Sequence, residues 1–540
     1  MRTIQTDPEL QELEQQVLHH AKAMDRTLPE MRFFILDGWE FISLLEKYVY
    51  PTSPINIWEG KRVVTKKHRV ETGRESSLYY EVVQTGNPSY AYLNSTNSPM
   101  MQASVMAHVC GHCEFSELNV LQDSNSDRTE YVMYLVKKSN IARQQMGDRL
   151  FLDYWNACES LVPLLSPHSQ FNLARSISTD SLQPHQESDK DISSKKTTSF
   201  FQPFSGTMSA LLQNSSKESA WKNEIQQKMN RETMSRQGYK LRAPCQDIMG
   251  FLRSYAPTGQ GEKTILDYMT TVHATHDFVV RTQIMNEGWA MYWEKKIMLE
   301  LFKDKAVKGI IDYAKVFSGV CYPRPYYMRN PYHLGFHMWN HIETLYREGK
   351  VALEFIEETD QNTKEKWNKS NGTDPIKSME HLVRTVTDYD FLRRFLTPEL
   401  VDQFHLNRIS KQEAQRVGLS PDNIIKEDPY WVWIDPIPVK EEMLKFFTHF
   451  YRPRVYIIDT DFQDGGLLLY HRDDGRRLRK DWIKPTLKNL NLIWKSPVSL
   501  VSKNWLYSFS ANLFKETVVT EVSFEHVQER IRNSEKPFRI

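Results

Sequence analysis

The sequence predicts an α+β protein with a predominantly helical core, a small N-terminal sheet and a small C-terminal α+β domain. Three observations predict it. Apolar residues recur at helical spacing over long stretches, at 8–49, from about 98 to 167, and from about 220 to 450. Short β-prone runs are confined to 79–94 and to the tail beyond 450. A polar, Ser/Thr/Lys-rich segment at 168–220 interrupts the helical pattern.

Each element has its own signal. Leu10, Leu13, Val17 and Leu18 recur at helical spacing in an N-terminal helix. Tyr79–Val83 and Tyr90–Leu93 read as strands, separated by the turn signal Gly86-Asn87-Pro88. Ser98 and Pro99 open the next helix, Ser as N-cap and Pro at the first helical position, where its missing N–H costs nothing. Residues 168–220 carry too little apolar surface to offset their ordering entropy and read as a disordered linker or insertion. In the tail, Arg454–Asp459, Gly466–Tyr470, Ser499–Ser502 and Thr517–Thr520 read as strands, with a helix over Pro485–Trp494. The expected division is therefore 1–167, the first part of the core; 168–220, the linker; 221–350, the second part of the core; 351–450, a helical segment; and 451–540, the C-terminal α+β domain.

Composition excludes several classes. A chain of 540 residues with 40% hydrophobic and 25% charged residues has the make-up of a globular protein with more than one domain. Its formal net charge of +1 argues against a general nucleic-acid binder, which carries a basic excess. No apolar run approaches the roughly 20 residues that span a bilayer, and the first residues are polar where a secretory signal has its apolar region. Five cysteines in so long a chain do not make a disulfide framework, so the expected location is cytoplasmic.

The stretch His108-Val109-Cys110-Gly111-His112-Cys113 carries the most chemistry. Cys110 and Cys113 have the spacing of a redox pair. A thioredoxin-like pair, however, sits at a helix N-terminus, and Ser98-Pro99 starts this helix about three turns earlier. Packing is the better reading for two cysteines inside a helix. His108 and His112, four apart, share a helical face and form a two-histidine metal grip. Strands followed by such a helix are the layout of zincin-like folds. Zincin peptidases place a base, Glu, directly after the first His; here that residue is Val109. Glu114 is the nearest substitute base and a candidate catalytic residue. Far downstream, Asn286-Glu287-Gly288-Trp289-Ala290 resembles the segment that supplies the Glu ligand in gluzincin peptidases, making Glu287 the candidate third ligand. Glu294, two helical turns on, shares its face and is a second candidate base. His333, His337 and His341 form a stripe whose outer members are ~12 Å apart, too far for all three to meet one ion; two of them could, but a solvent-facing or packing role is the expectation.

Taken together, these segments resemble the stage V sporulation protein R (SpoVR) family. The likeness is carried by Met106–Phe115, by Asn286–Ala290, by Asn330–Phe336 with His341-Ile342-Glu343, by Asp390–Leu400, and by tail segments around Leu467–His471 and Thr486–Leu490. It covers most of 35–500, in family order. The chain departs from the family pattern after His112, where it reads Glu114-Phe115-Ser116-Glu117-Leu118-Asn119, and in His276-Asp277-Phe278. Glu294 stands where the family carries a His. The resemblance implies a role in sporulation, particularly spore cortex (peptidoglycan) formation, or in stationary-phase and stress responses. It also implies a PrkA-type serine kinase and a von Willebrand-like protein as partners.

Two functions are therefore expected in competition. One is a metal-dependent, hydrolase-like (peptidase-like) protein with His108, His112 and Glu287 as ligands, Glu114 or Glu294 as base, and zinc or iron as the metal. The other is a non-enzymatic regulator or scaffold acting with its kinase partner, in which the same residues form a polar seam between helices.

Overall fold

The described residues are mostly helical, with three small sheets, so the α+β class stands. This computed structural model describes residues 2–4, 7–37, 40, 81–121, 128–166 and 244–534, apart from 87, 371, 373, 418, 420, 450–451, 463–464 and 474–476. The expected linker at 168–220, and the helical patterns at 41–49 and 221–243, lie outside them. The chain divides into two units, each assembled from two separate stretches: 1–129 with 278–450, and 130–277 with 451–540.

In the first unit, β1 (Arg2–Thr3), β2 (Met31–Leu36), β3 (Glu81–Gln84) and β4 (Ser89–Asn94) form a sheet in the order β1-β2-β4-β3. The β2–β4 pairing is parallel and the other two are antiparallel. The Ser89 hydroxyl donates to the Gly86 carbonyl at 2.7 Å and accepts from the Gly86 N–H at 3.1 Å, which closes the turn between β3 and β4. The chain then enters the helix Pro99–Leu118, the histidine helix. Ser98 caps it, its hydroxyl accepting from the Met101 N–H. Gln102 ties it to the sheet by donating to the Asn94 carbonyl at 2.8 Å. Nearly every residue of this helix is buried, so it has no solvent face. It packs against the helices Pro8–Ala23, Ile310–Val320 and Pro375–Thr385. One apolar core runs from Val17 and Phe33 through Met106 and Trp289 to Trp339 and Phe391. A small sheet of β5 (Arg408–Ser410), β6 (Ile424–Glu427) and β7 (Trp431–Ile434), in the order β5-β7-β6, belongs to the same unit.

In the second unit, β8 (Val455–Phe462), β9 (Gly466–His471), β10 (Val498–Ser502), β11 (Trp505–Ser510) and β12 (Leu513–Val518) form a sheet in that spatial sequence. Only β9 and β10 are parallel, and the helix Lys480–Trp494 makes the crossover such a pair requires. The alternating strand Trp505–Ser510 went unpredicted; its partner Leu513–Val518 ends where Thr517–Thr520 was expected to run. The helix begins five residues ahead of Pro485, which therefore stands inside it and gives up one intrahelical hydrogen bond.

Candidate metal centre

Three helices converge on the site, and small residues let them. The 44-residue helix Gln260–Lys303, the long helix, enters the first unit at Phe278. It crosses the histidine helix so closely that a Cβ on Gly111 would lie 2.5 Å from the Cα of Ala290. It also meets the helix Pro331–Arg347, where a Cβ on Gly288 would lie 2.2 Å from the carbonyl carbon of Gly335. Asn330 caps that third helix by accepting from the Tyr332 N–H at 3.1 Å, with Pro331 at its first position. The motif Asn286–Ala290 thus carries a helix contact on each side of Glu287.

This crossing brings His108, His112 and Glu287 together, with one potential ligand atom from each lying within 4.8 Å of the others. Among the described residues, no other group of three such side chains does so. The Glu287 Oε2 is 3.4 Å from His112 Nε2 and 3.7 Å from His108 Nε2, and has no hydrogen-bond partner although it is buried. The other ring nitrogen of each histidine is committed. His108 Nδ1 lies 2.9 Å from Glu294 Oε2, and His112 Nδ1 lies 2.9 Å from Asn286 Oδ1. Both partners accept, so both Nδ1 atoms carry hydrogen, and a ring in that tautomer with no second proton turns an Nε2 lone pair toward the Glu287 carboxylate. Three acceptors facing one point repel one another unless a cation or added protons lie between them. Exposure of the side chains is 6% for His108, 12% for His112 and 19% for Glu287, so water screens this repulsion little. Burial pushes the Glu287 carboxyl up, but where added protons make His112 and His108 positive, their charge and donated hydrogen bonds outweigh it and bring the carboxyl down to about 2.

A further set of groups braces this arrangement. Ser104, one turn before His108 on the same face, donates to Glu294 Oε1 at 2.6 Å. Asp388 is fully buried. Its two oxygens accept from the backbone N–H of Ile284 at 2.8 Å and of Met285 at 2.9 Å, in the interior of the long helix directly before Asn286 and Glu287. The Trp339 indole donates to the Met285 carbonyl at 3.0 Å.

Glu114 is not brought to the histidine pair. It is 1% exposed and accepts from Arg26 at 3.2 Å, from the Thr27 N–H at 3.0 Å and from the Trp289 indole at 2.9 Å. Two residues past His112 the helix has turned about 200°, so the side chain leaves on the opposite side. Glu294 does reach the site, but as the acceptor for His108 and Ser104. Val109 is fully buried in the apolar core. Cys110 and Cys113 are free, buried thiols; burial raises both, Cys113 to about 12. His333 faces the carbonyl oxygens of Cys321 at 2.9 Å and Phe404 at 3.3 Å, while burial, with His333 and Lys295, lowers His337 to about 4. Sequence reasoning assigned no site role to Asn286, Ser104 or Asp388. Spacing pointed to Ser104, four residues before His108, and adjacency to Asn286. Nothing local pointed to Asp388, which lies 101 residues beyond Glu287.

The fold and the cluster define a mostly helical α+β protein with two histidines and a carboxylate gathered from two crossing helices, each imidazole oriented by a partner of its own. The family model described as SpoVR like protein matches residues 5–433. The chain belongs to the SpoVR family. It is also similar to the Uncharacterized protein YcgB of Escherichia coli (strain K12), with 22% identity over 477 residues, covering 85% of this chain and 86% of that protein. No solved structure matches the chain.

Proposed function

We propose that this SpoVR-family protein binds one divalent transition metal through His108 Nε2, His112 Nε2 and Glu287. The observation that carries the reading is the convergence of three acceptors on a single buried point, each histidine held by its own partner. Such outer partners set the tautomer and orientation of metal-ligating histidines. Two imidazoles and a carboxylate suit zinc, or iron in the two-His-one-carboxylate arrangement. Three protein ligands leave a position open, at which a bound metal would supply Lewis acidity or, if iron, redox capacity. The residues themselves bind and orient: Glu294 and Asn286 hold the imidazoles, and the aromatic core around Trp289 and Trp339 limits water.

A zincin-like relationship for the first unit is supported by its sheet, the histidine helix that follows, and a Glu ligand from a second helix. A zincin-type hydrolysis is not, because Val109 replaces the base, Glu114 is locked to Arg26 and Glu294 is engaged by His108. That gap favours the second expectation, a regulator acting with a PrkA-type serine kinase and a von Willebrand-like protein in sporulation or stress responses, as the resemblance implies. Co-purification of the three proteins from one expression host tests it, and failure to associate with or without metal would sink it.

The metal assignment is tested by elemental analysis of the full chain purified anaerobically without chelators, beside His112→Ala and Glu287→Gln. About one zinc or iron per wild-type chain, lost in both variants, is the expected result. Metal-free wild type after incubation with either ion would refute it.

A further inference from the structure

The residues expected to act as a base beside the metal centre are all committed elsewhere. Val109 is apolar and buried, Glu114 is turned away toward Arg26, and Glu294 is held by His108 and Ser104. Activating water for hydrolysis needs such a base. Two histidines and a carboxylate with open positions are also the ligand pattern of non-haem ferrous iron, whose co-reactant is dioxygen. That chemistry calls for a reductant in place of a protein base. Among the described residues the group of His, Cys, Asp and Glu ligands ends at three, which leaves positions open. The Glu294 carboxylate behind His108 makes that imidazole a stronger electron donor, which suits a metal that gives up an electron. The side chains of His112 and Glu287 keep 12% and 19% of their surface exposed, so the centre is not sealed from small solutes.

An oxidisable ring stands beside this centre. The Tyr332 ring centroid is 6.0 Å from that of His108, with the two planes at 37°. The backbone of Tyr332 is fixed from both sides. Two residues before it, Asn330 caps the third helix by accepting from the Tyr332 N–H at 3.1 Å. The Asn330 amide also donates to the carbonyl oxygens of Val320 at 2.6 Å and Tyr322 at 2.9 Å, which anchors the cap. One turn after Tyr332, Gly335 meets Gly288 of the long helix, the residue next to Glu287. The crossing that places the carboxylate therefore also places Tyr332 against His108.

We propose that this centre takes ferrous iron and directs dioxygen chemistry at an organic substrate with an oxidisable C–H bond, held beside Tyr332. The inference rests on the metal reading and deepens it. With no substrate in place, Tyr332 is the group oxidised: a ring C–H becomes C–OH and the phenol becomes a catechol. One oxygen atom of dioxygen enters that bond. The other leaves as water, taking an electron pair and its protons from an added reductant, ascorbate.

The test uses the metal-free full chain, reloaded anaerobically with Fe(II). Its metal content is measured, and it is then exposed to air and ascorbate. Peptide mass spectrometry should find one added oxygen atom on Tyr332, and the protein should take on the visible colour of a catechol bound to ferric iron. Zinc-loaded wild type, which needs no substitution, should show neither change. His112→Ala should lose both, and Tyr332→Phe should keep its iron and stay colourless. Iron bound at about one per chain with Tyr332 unmodified overturns the proposal and leaves the metal assignment standing. Failure to retain iron or zinc sinks the metal assignment and this inference with it. Equal oxidation of Tyr332 in His112→Ala traces the chemistry to iron free in solution and overturns the proposal, as does oxygen added at other residues in preference to Tyr332.

Discussion

Gly111→Ala tests whether the packing of two helices sets the metal centre. The new Cβ would lie 2.5 Å from the Ala290 Cα, about 0.9 Å short of ordinary contact at 3.4 Å, and 3.2 Å from the Ala290 Cβ. The obstructing atoms are helix backbone on the long helix, so the helices must part. Overpacking of this kind costs ~1–3 kcal/mol. Ala290 is three residues from Glu287, so parting the helices at that crossing draws the carboxylate away from His108 and His112, already 3.7 and 3.4 Å distant. Functional geometries tolerate displacements of about 0.5 Å, so metal affinity should fall about tenfold to a hundredfold, comparable to removing an outer partner. The assays are competition for metal against a chromophoric chelator and thermal melting of the metal-free protein. Gly319→Ala is the control, since its Cβ would meet nothing within 4 Å in an exposed helix; it leaves both readouts unchanged or slightly raises the melting temperature. A Gly111→Ala protein with wild-type affinity and wild-type melting would refute the reasoning.

Other predictions follow from the same contacts. Glu114→Gln removes one of the two carboxylates that pair with Arg26 and leaves Glu380 at 3.0 Å, so stability falls by about 1.5–3 kcal/mol while metal content is retained; loss of metal with unchanged stability would restore Glu114 to the site. Burial raises Asp388 from 3.8 to about 7, against the Ile284 and Met285 N–H groups and Arg329, which lower it. A carboxyl raised in the folded state contributes stability in full at low pH and loses it as pH rises from about 4 to about 7. Urea midpoints of wild type therefore decline across that window more than those of Asp388→Asn, and parallel profiles would contradict the assignment. Cys110 and Cys113 resist iodoacetamide in the folded protein and react after denaturation, as read by peptide mass spectrometry; rapid labelling of the native chain would revive the redox reading.

Local signals made much of the molecule legible. Ser98-Pro99 and Asn330-Pro331 start helices because a cap and a proline act within one turn. His108 and His112 pair because helical spacing puts them on one face whatever surrounds them. The tail strands were found where β-prone runs stand between turns, and Trp505–Ser510 was missed although its alternation is plain. Glu114 shows the limit of spacing: it is near His112 in sequence, yet helical geometry sends it to Arg26.

The sequence by itself determined the helical α+β class, the histidine pair, Glu287 as its candidate partner and the family. These rest on residue type and on spacing within a single element. Only the tertiary structure decided that Gly111 meets Ala290 and Gly288 meets Gly335, that Asn286 and Glu294 hold the imidazoles, and that Asp388 braces the helix that carries Glu287. Those contacts join positions from about 50 to 190 residues apart. They depend on how closely three helix backbones approach, a distance set by the whole core and by no single stretch of chain.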